Sequence, residues 1–310
     1  MGVLDDRVVI VTGGGNGIGR DVCLIAAKEG AKVVVSDLGG GPRGGDAGSA
    51  GAAEAVAQQI RDGGGKAIAN HASVTDYDAM VALRDQTLRE FGGLHAVINP
   101  AGILRDGMFH KMASADWDVV VEVHLKGTFN ICRATVEHFR EQNDGAYVLF
   151  SSTSGLIGNI GQTNYGAAKM GVAGLSRILA LEGASKNVRS NVMAPAAWTR
   201  LVGTIPAKDE ETARQRAEQM AKVIPPEAPA RLAVALASPA AQAVTGQIFG
   251  VQGNDISVMS QIRSVDFREN PNGWTVEGIV NDALPALAAS FTPFGTEMMA
   301  FTRPQAKAPA

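Results

Sequence analysis

Residues 7–37 read RVVIVTGGGNGIGRDVCLIAAKEGAKVVVSD, and this stretch decides the fold. Arg7 to Thr12 is a short β-branched run, continuous rather than alternating, as a parallel strand buried on both faces requires. Five glycines stand among the next seven residues, Gly13 to Gly19, enough to make a tight turn rather than a linker. Helical spacing through Val22, Ile25 and Ala26 follows and ends near Gly30. Lys32 to Ser36 is a second strand, closed by Asp37. Strand, glycine loop, helix, strand and acid in that order suit a dinucleotide. Gly13 and Gly17 let the backbone approach a pyrophosphate, and the helix N-terminus at Asn16, Gly17 and Ile18 holds its charge. Asp37 can accept hydrogen bonds from the adenosine ribose hydroxyls and repels a 2′-phosphate, so the expected cofactor is NAD. Neither Asn16 nor Leu38, at the same rim, supplies a cation that would reverse this preference.

The rest of the chain continues the alternation. Gly39 to Gly51 is a flexible, polar insertion at the cofactor rim, with Arg43 in solvent. A helix over Ala52 to Ile60 leads to a third strand, Lys66 to Asn70. Ligands line the carboxyl ends of strands in such a sheet, which puts Ser73 and Val74 beside the adenine. Asp76 to Phe91 reads as an amphipathic helix and Leu94 to Asn99 as the fourth strand. Asn99, Ala101 and Gly102 then let the chain pass close to a flat ring. A long apolar-periodic segment spans Asp116 to Phe139, with a helix start near Ser114. His124 lies inside it, either as a hydrogen-bonded core residue or as a polar member of a proton path. Gly145 to Phe150, Val188 to Met193 and Gln247 to Val251 complete the strands, the sixth running into Pro195. The expected fold is α/β: one doubly wound domain over residues 1–255, with a seven-stranded parallel sheet flanked by helices. Residues 200–230 read as a flap over the substrate. Residues 256–310 read as an extension for subunit packing or the substrate rim, with a disordered end.

The fifth strand runs into SSTSGLIGNIGQTNYGAAK, residues 151–169. Tyr165 and Lys169 are four apart and share one face of a helix. A lysine held near a phenol favours the phenolate, so the pair is expected to bring Tyr165 toward neutral pH, where it can exchange a proton. Ser152, from the end of the strand, can hold a carbonyl oxygen beside it. Small residues on the same helix (Gly166, Ala167, Gly171, Gly174) suit close packing against another helix in an oligomer.

Composition removes other classes. A formal net charge of −3 gives no electrostatic case for nucleic acid. The two cysteines, Cys23 and Cys132, sit in apolar-periodic segments and read as core residues, with no metal site expected. No apolar run is long enough to span a bilayer, and the N-terminus does not resemble a signal peptide. A cytoplasmic location is the expectation.

Four motifs together resemble the short-chain dehydrogenase/reductase family. They are TGGGNGIG from Thr12, NPAG from Asn99, YGAAK from Tyr165, and Ser152 thirteen residues before that tyrosine. AGILRD, HLKGTF and SGLIGNIGQTNYGAAK are further similar to its (3R)-hydroxyacyl-CoA dehydrogenase branch, which includes hydroxysteroid dehydrogenases. The resemblance implies a Rossmann-type fold, NAD-dependent interconversion of a secondary alcohol and a ketone, and a homodimer or homotetramer. It implies Ser152, Tyr165 and Lys169 as catalytic residues, with Tyr165 and Lys169 also touching the cofactor. It places His124 where the family has an asparagine on the proton path. Pro195 and Thr199 are implied at the nicotinamide carboxamide. The small-molecule substrate is expected to be a 3-hydroxyacyl-CoA or a hydroxysteroid. The alternatives are a non-catalytic dinucleotide-binding regulator and an NADP-dependent ketoreductase.

Overall fold

Val8–Thr12 (β1) buries all five of its residues, because helices cover both faces of the sheet to which it belongs. The structure is a computed structural model that describes residues 2–45, 48–197 and 210–292. Lys32–Ser36 (β2), Lys66–Asn70 (β3), Ala96–Asn99 (β4), Gly145–Phe150 (β5), Val188–Ala196 (β6) and Ile248–Gln252 (β7) join β1 in parallel. The spatial order is β3-β2-β1-β4-β5-β6-β7-β8. The chain builds outward from β1 to β3, then returns to the other side of β1 with β4. That reversal opens a crevice at the carboxyl ends of β1 and β4.

The expected seven-stranded parallel sheet is corrected by one strand. Asp255–Val258 (β8) pairs antiparallel with β7. Gln252 lies opposite Asp255, leaving Gly253 and Asn254 as a two-residue hairpin loop with Gly253 at φ +53°. Such loops favour residues that tolerate positive φ. β8 has only four residues, with Ile256 and Val258 60% and 64% exposed, so it carries no buried run for a sequence reading to detect.

The helices are Gly17–Lys28 (α1), Gly51–Asp62 (α2), Tyr77–Phe91 (α3), Ser114–Val121 (α4), Gly127–Gln142 (α5), Thr153–Leu156 (α6), Thr163–Gly183 (α7), Glu210–Val223 (α8) and Glu227–Ala237 (α9). α1, α2 and α9 cover one sheet face, where Val9, Val11, Val33 and Val35 meet Val22, Ala57 and Leu232. α3, α5 and α7 cover the other, where Ile10 and Val34 meet Met80, Leu83, Ile131 and Val172. The alternation of Val9, Ile10 and Val11 between these cores follows the pleat of β1. Cys23 and Cys132 are free and buried, one in each core.

Two local features shape the crevice. The helix expected through 116–139 is interrupted by a π-helical turn at Glu122–Lys126, between α4 and α5. His124 lies buried within it, and a single widened turn leaves the apolar periodicity nearly intact. The Gly39–Gly51 insertion is tied to the segment after β4: Leu104 N–H donates to Pro42 C=O (2.9 Å), and Arg105 Nε to Arg43 C=O (2.8 Å).

Two compact units divide the chain, the first continuous to Met259 and the second starting at Ser260. The second contains short helical turns at Val276–Gly278 and Leu284–Leu287. The expected Thr199 contact, the first part of the 200–230 flap and the expected disordered end beyond 292 lie outside the described residues.

Candidate active site

The glycine loop is shaped by what touches it. Gly13 takes φ +62°, and a Cβ there would stand 2.8 Å from Ala101 Cα, so the loops after β1 and β4 meet backbone to backbone. A Cβ on Gly15 would stand 2.8 Å from Asp37 Oδ2. Gly15 N–H instead donates to Oδ2 (2.8 Å), and Gly39 N–H donates to Oδ1 (2.7 Å). The Asp37 carboxylate is thus fixed at the end of β2, beside the loop. Asn16 precedes α1 without capping it through its side chain, so the amides of the first turn can bind an anion. A cradle that side chains would fill, an open helix N-terminus and a fixed carboxylate fit a nicotinamide dinucleotide.

Deeper in the crevice a buried polar chain joins β1, β4 and α5. Thr12 Oγ1 donates to Asn99 Oδ1, and Asn99 Nδ2 donates to Thr128 Oγ1 (2.8 Å). Thr128 Oγ1 donates in turn to His124 C=O, one helical turn back. All four residues are buried. Asn99 is therefore positioned from both sides. Thr12 and Thr128 escaped the sequence reading; a threonine ending a buried strand was the available signal for the first. Val74 is buried after β3, and its carbonyl accepts from Asn130 Nδ2 (2.8 Å). Ser73 Oγ bonds Thr75 Oγ1 (2.8 Å). Leu38 is 39% exposed at the rim, and Pro195 is partly exposed near the end of β6.

The structure brings Ser152, Tyr165, Lys169 and His124 together. Ser152 follows β5 and caps α6, accepting from Ser154 N–H (3.2 Å). Two bonds lock β5 to α7: Ser151 Oγ donates to Lys169 C=O, and Lys169 Nζ to Phe150 C=O, each 2.7 Å. Lys169 Nζ also lies 5.6 Å from the Tyr165 ring centre. The His124 ring meets Tyr165 edge to face, with centres 5.0 Å apart. His124 Nε2 is 2.7 Å from Ile103 C=O and 3.1 Å from Ile103 N–H. It cannot donate to one and accept from the other at once. The shorter contact favours Nε2–H as donor, which leaves Nδ1 a buried acceptor with no partner among the described residues. Gly102 permits this packing, since a Cβ there would fall 2.3 Å from His124 Cε1.

The electrostatics differ from the sequence expectation in one respect. Burial pushes the Tyr165 hydroxyl up to about 12; the Ser152 hydroxyl opposes this and the Asp106 charge adds to it. Lys169 does not bring the phenol toward neutrality. Burial brings Lys169 itself down to about 7, because the same loss of water disfavours ammonium and phenolate alike. Burial, and then the nearby Lys169 charge, hold His124 well below its ordinary range, so its ring is neutral.

Asn164, also missed in the sequence, anchors the tyrosine. It is fully buried; its Oδ1 accepts from Tyr165 N–H (2.8 Å), and its Nδ2 donates to Arg105 C=O and Asp116 C=O (3.0 Å each). The Arg105–Asp116 ion pair (2.9 Å) ties together the two segments that carry those carbonyls.

Known proteins share this arrangement of sequence and fold. The profile of the short chain dehydrogenase family matches residues 7–208, and the chain belongs to that family of oxidoreductases, which bind a nicotinamide dinucleotide. Over 202 residues it is 54% identical to a short-chain type dehydrogenase/reductase of Mycobacterium tuberculosis, covering 65% of this chain and 70% of the relative. It is 45% identical over 205 residues to peroxisomal multifunctional enzyme type 2 of Mus musculus; this covers 66% of the chain but 27% of that longer enzyme. Among solved structures, a short chain dehydrogenase from Mycobacterium avium aligns with a TM-score of 0.82 at 35% identity, covering 94% of this chain and 98% of the other. A 7α-hydroxysteroid dehydrogenase complexed with NADH and 7-oxo glycochenodeoxycholic acid aligns at 0.70 and 29% identity, covering 81% and 94%. No helix among the described residues is long and apolar enough to cross a membrane.

Proposed function

We propose that this protein interconverts a secondary alcohol and a ketone on a 3-hydroxyacyl-CoA or a hydroxysteroid, with NAD as cofactor. The observation that carries the proposal is the Tyr165 ring with Lys169 Nζ 5.6 Å from its centre and His124 edge to face against it, Ser152 arriving from the end of β5 and the glycine cradle alongside. When bound, the oxidised cofactor supplies a hydride acceptor and a positive ring. With that positive ring beside it favouring the phenolate, Tyr165 would take the hydroxyl proton of the alcohol, and Ser152 would hold the substrate oxygen. Lys169 would bind the ribose beside the nicotinamide, and His124, neutral with Nδ1 as an acceptor, would stand at the far end of the proton path without holding the proton itself. Gly13, Asn16, Gly17 and Ile18 hold the pyrophosphate. Leu38, Ser73 and Val74 border the adenine, and Asn99, Ala101, Gly102, Pro195 and Thr199 the nicotinamide half.

Asp37 supports NAD over NADP: a 2′-phosphate would meet a carboxylate already fixed by two amides. The substrate class draws on the named hydroxysteroid and multifunctional relatives. The proposed assembly is a homodimer or homotetramer.

The test is NADH formation over acyl-CoA thioesters, hydroxysteroids and simple secondary alcohols, repeated with NADP. Tyr165→Phe is expected to lower kcat about 10²–10⁴-fold, the usual worth of a positioned proton acceptor, while NAD still binds. Near-full activity in Tyr165→Phe, or a higher kcat/KM with NADP, would overturn the assignment.

A further inference from the structure

Twelve residues separate Ser152 from Tyr165, and their two hydroxyls must converge on one substrate oxygen. An exposed loop of that length loses its place easily unless something outside it holds it. Here the holder is the short segment 105–107, which follows β4 and has no part in the cofactor cradle. Gly107 N–H donates to Gly161 C=O (2.8 Å), and Gly107 pairs with Gln162 as an isolated parallel bridge. Beside that bridge, Gln162 Nε2 donates to Asp106 Oδ2 (2.9 Å). The other end of the same amide faces inward. Gln162 Oε1 accepts from Ser154 Oγ (2.7 Å) and from Asn159 Nδ2 (2.9 Å). Ser154 then reaches the catalytic serine through its N–H bond to Ser152 Oγ. On the inner side, Asn164 ties Tyr165 N–H to the Arg105 carbonyl.

Gln162 occupies the residue before the first turn of α7 but does not cap that helix with its side chain. Its amide is committed to the bridge, with donor and acceptor turned to opposite partners. Resting on the dehydrogenase reading above, we infer that Asp106 and Gln162 are positioning residues: Asp106 orients the Gln162 amide, and the amide holds the 154–162 loop so that Ser152 and Tyr165 meet the same oxygen. Neither residue touches the reacting atoms. Asp106 contributes orientation besides the charge that reaches Tyr165, and hydrogen exchange reads the orientation alone. A carboxylate can only accept, so the Gln162 NH₂ turns toward it and Oε1 is left for Ser154 and Asn159.

Reversal of the hydrogen bond tests this. Gln162→Glu puts two acceptors face to face at the Asp106 contact and is expected to lower kcat about tenfold, as a displaced catalytic group does, with KM for NAD unchanged. Adding Asp106→Asn restores a donor on the opposite side, and the double variant should recover most of that loss. Hydrogen exchange reads the same proteins without substrate: amides of 154–166 should exchange faster in Gln162→Glu and slow again in the double variant, while those of β1 and β2 do not change. Both positions lie near the surface, away from either core, so the variants should fold; melting curves check this. Wild-type kcat in Gln162→Glu, or a double variant as slow as the single, would overturn the inference, as would unchanged exchange. If the wild type oxidises no alcohol while exchange responds as expected, the dehydrogenase assignment fails and the clamp stands.

Discussion

Lys169 is the residue whose chemistry is most at odds with its surroundings. It is buried, its ammonium has one carbonyl partner at 2.7 Å, and burial brings it from 10.5 to about 7. Its pKa is lower in the folded state than in the unfolded one. Between about pH 7 and 10.5 the unfolded chain therefore holds a proton that the folded chain has released. Stability rises with pH through that window, and the full penalty is present below it. Lys169→Met removes the penalty and leaves the Phe150 carbonyl unpaired, a pH-independent cost of about 1–3 kcal/mol. The melting temperature of the variant relative to wild type should thus be highest near pH 7 and fall steadily toward pH 10, though the variant is inactive. His124 is present in both proteins, so its own titration enters both melting curves alike. A difference that stayed flat with pH would mean that the amine is solvated. The spacing of Ser152, Tyr165 and Lys169 was legible because all three fall within one strand–loop–helix passage. The value at which each titrates was not, because burial sets it, and burial depends on strands and helices far away in the chain.

At the scale of elements, the glycine loop and the strand–helix alternation could be read directly. Their signal is local, a β-branched run followed by residues that permit a tight turn. The π-helical turn at Glu122–Lys126 and strand β8 could not. The turn leaves apolar spacing nearly unchanged, and β8 is exposed. That turn matters for the site, since it carries His124 to within 5.0 Å of the Tyr165 ring and against Gly102. Gly102→Ala is expected to destabilise the protein by about 1–3 kcal/mol, the usual cost of overpacking, since its Cβ would fall 2.3 Å from His124 Cε1. The clash is with one ring and not with backbone. Gly102→Ala in a His124→Ala background should therefore cost much less than in the wild type. Denaturant unfolding of the four proteins in that cycle measures the coupling. Equal costs in both backgrounds would show that the ring can move aside, and that the turn does not fix it. Contacts such as Thr12–Asn99–Thr128 escaped the sequence for a related reason: they join residues 87 and 29 positions apart through side-chain bonds that leave no periodic trace.

Across the molecule, the sheet is covered on both faces, yet the outer face of α7 remains apolar. On α7, Met170, Ile178 and Leu181 are 37%, 50% and 65% exposed, and on α5 Phe129 is 44% exposed. Positions 170, 174, 178 and 181 recur at helical spacing along a single stripe. Gly174, in that stripe, has open space where a Cβ would stand, so another backbone could come close. The two helices are joined at one end, where Arg140 Nη1 donates to Glu182 C=O (2.8 Å). Apolar stripes of this kind on a folded protein mark association sites. A stripe of small and apolar residues suits a two-fold contact in which each copy offers the same surface. Ile178→Glu with Leu181→Glu would place two carboxylates of each copy against those of the other, and neither side chain reaches the catalytic residues. Sedimentation velocity at micromolar concentration should show the wild type as a dimer or tetramer and the double variant as a smaller species. Because both positions are exposed, the variant should retain its fold by circular dichroism, so a change in mass would report the contact itself. A wild type that sediments as a monomer, or a double variant with the wild-type mass, would remove α5 and α7 as the contact surface.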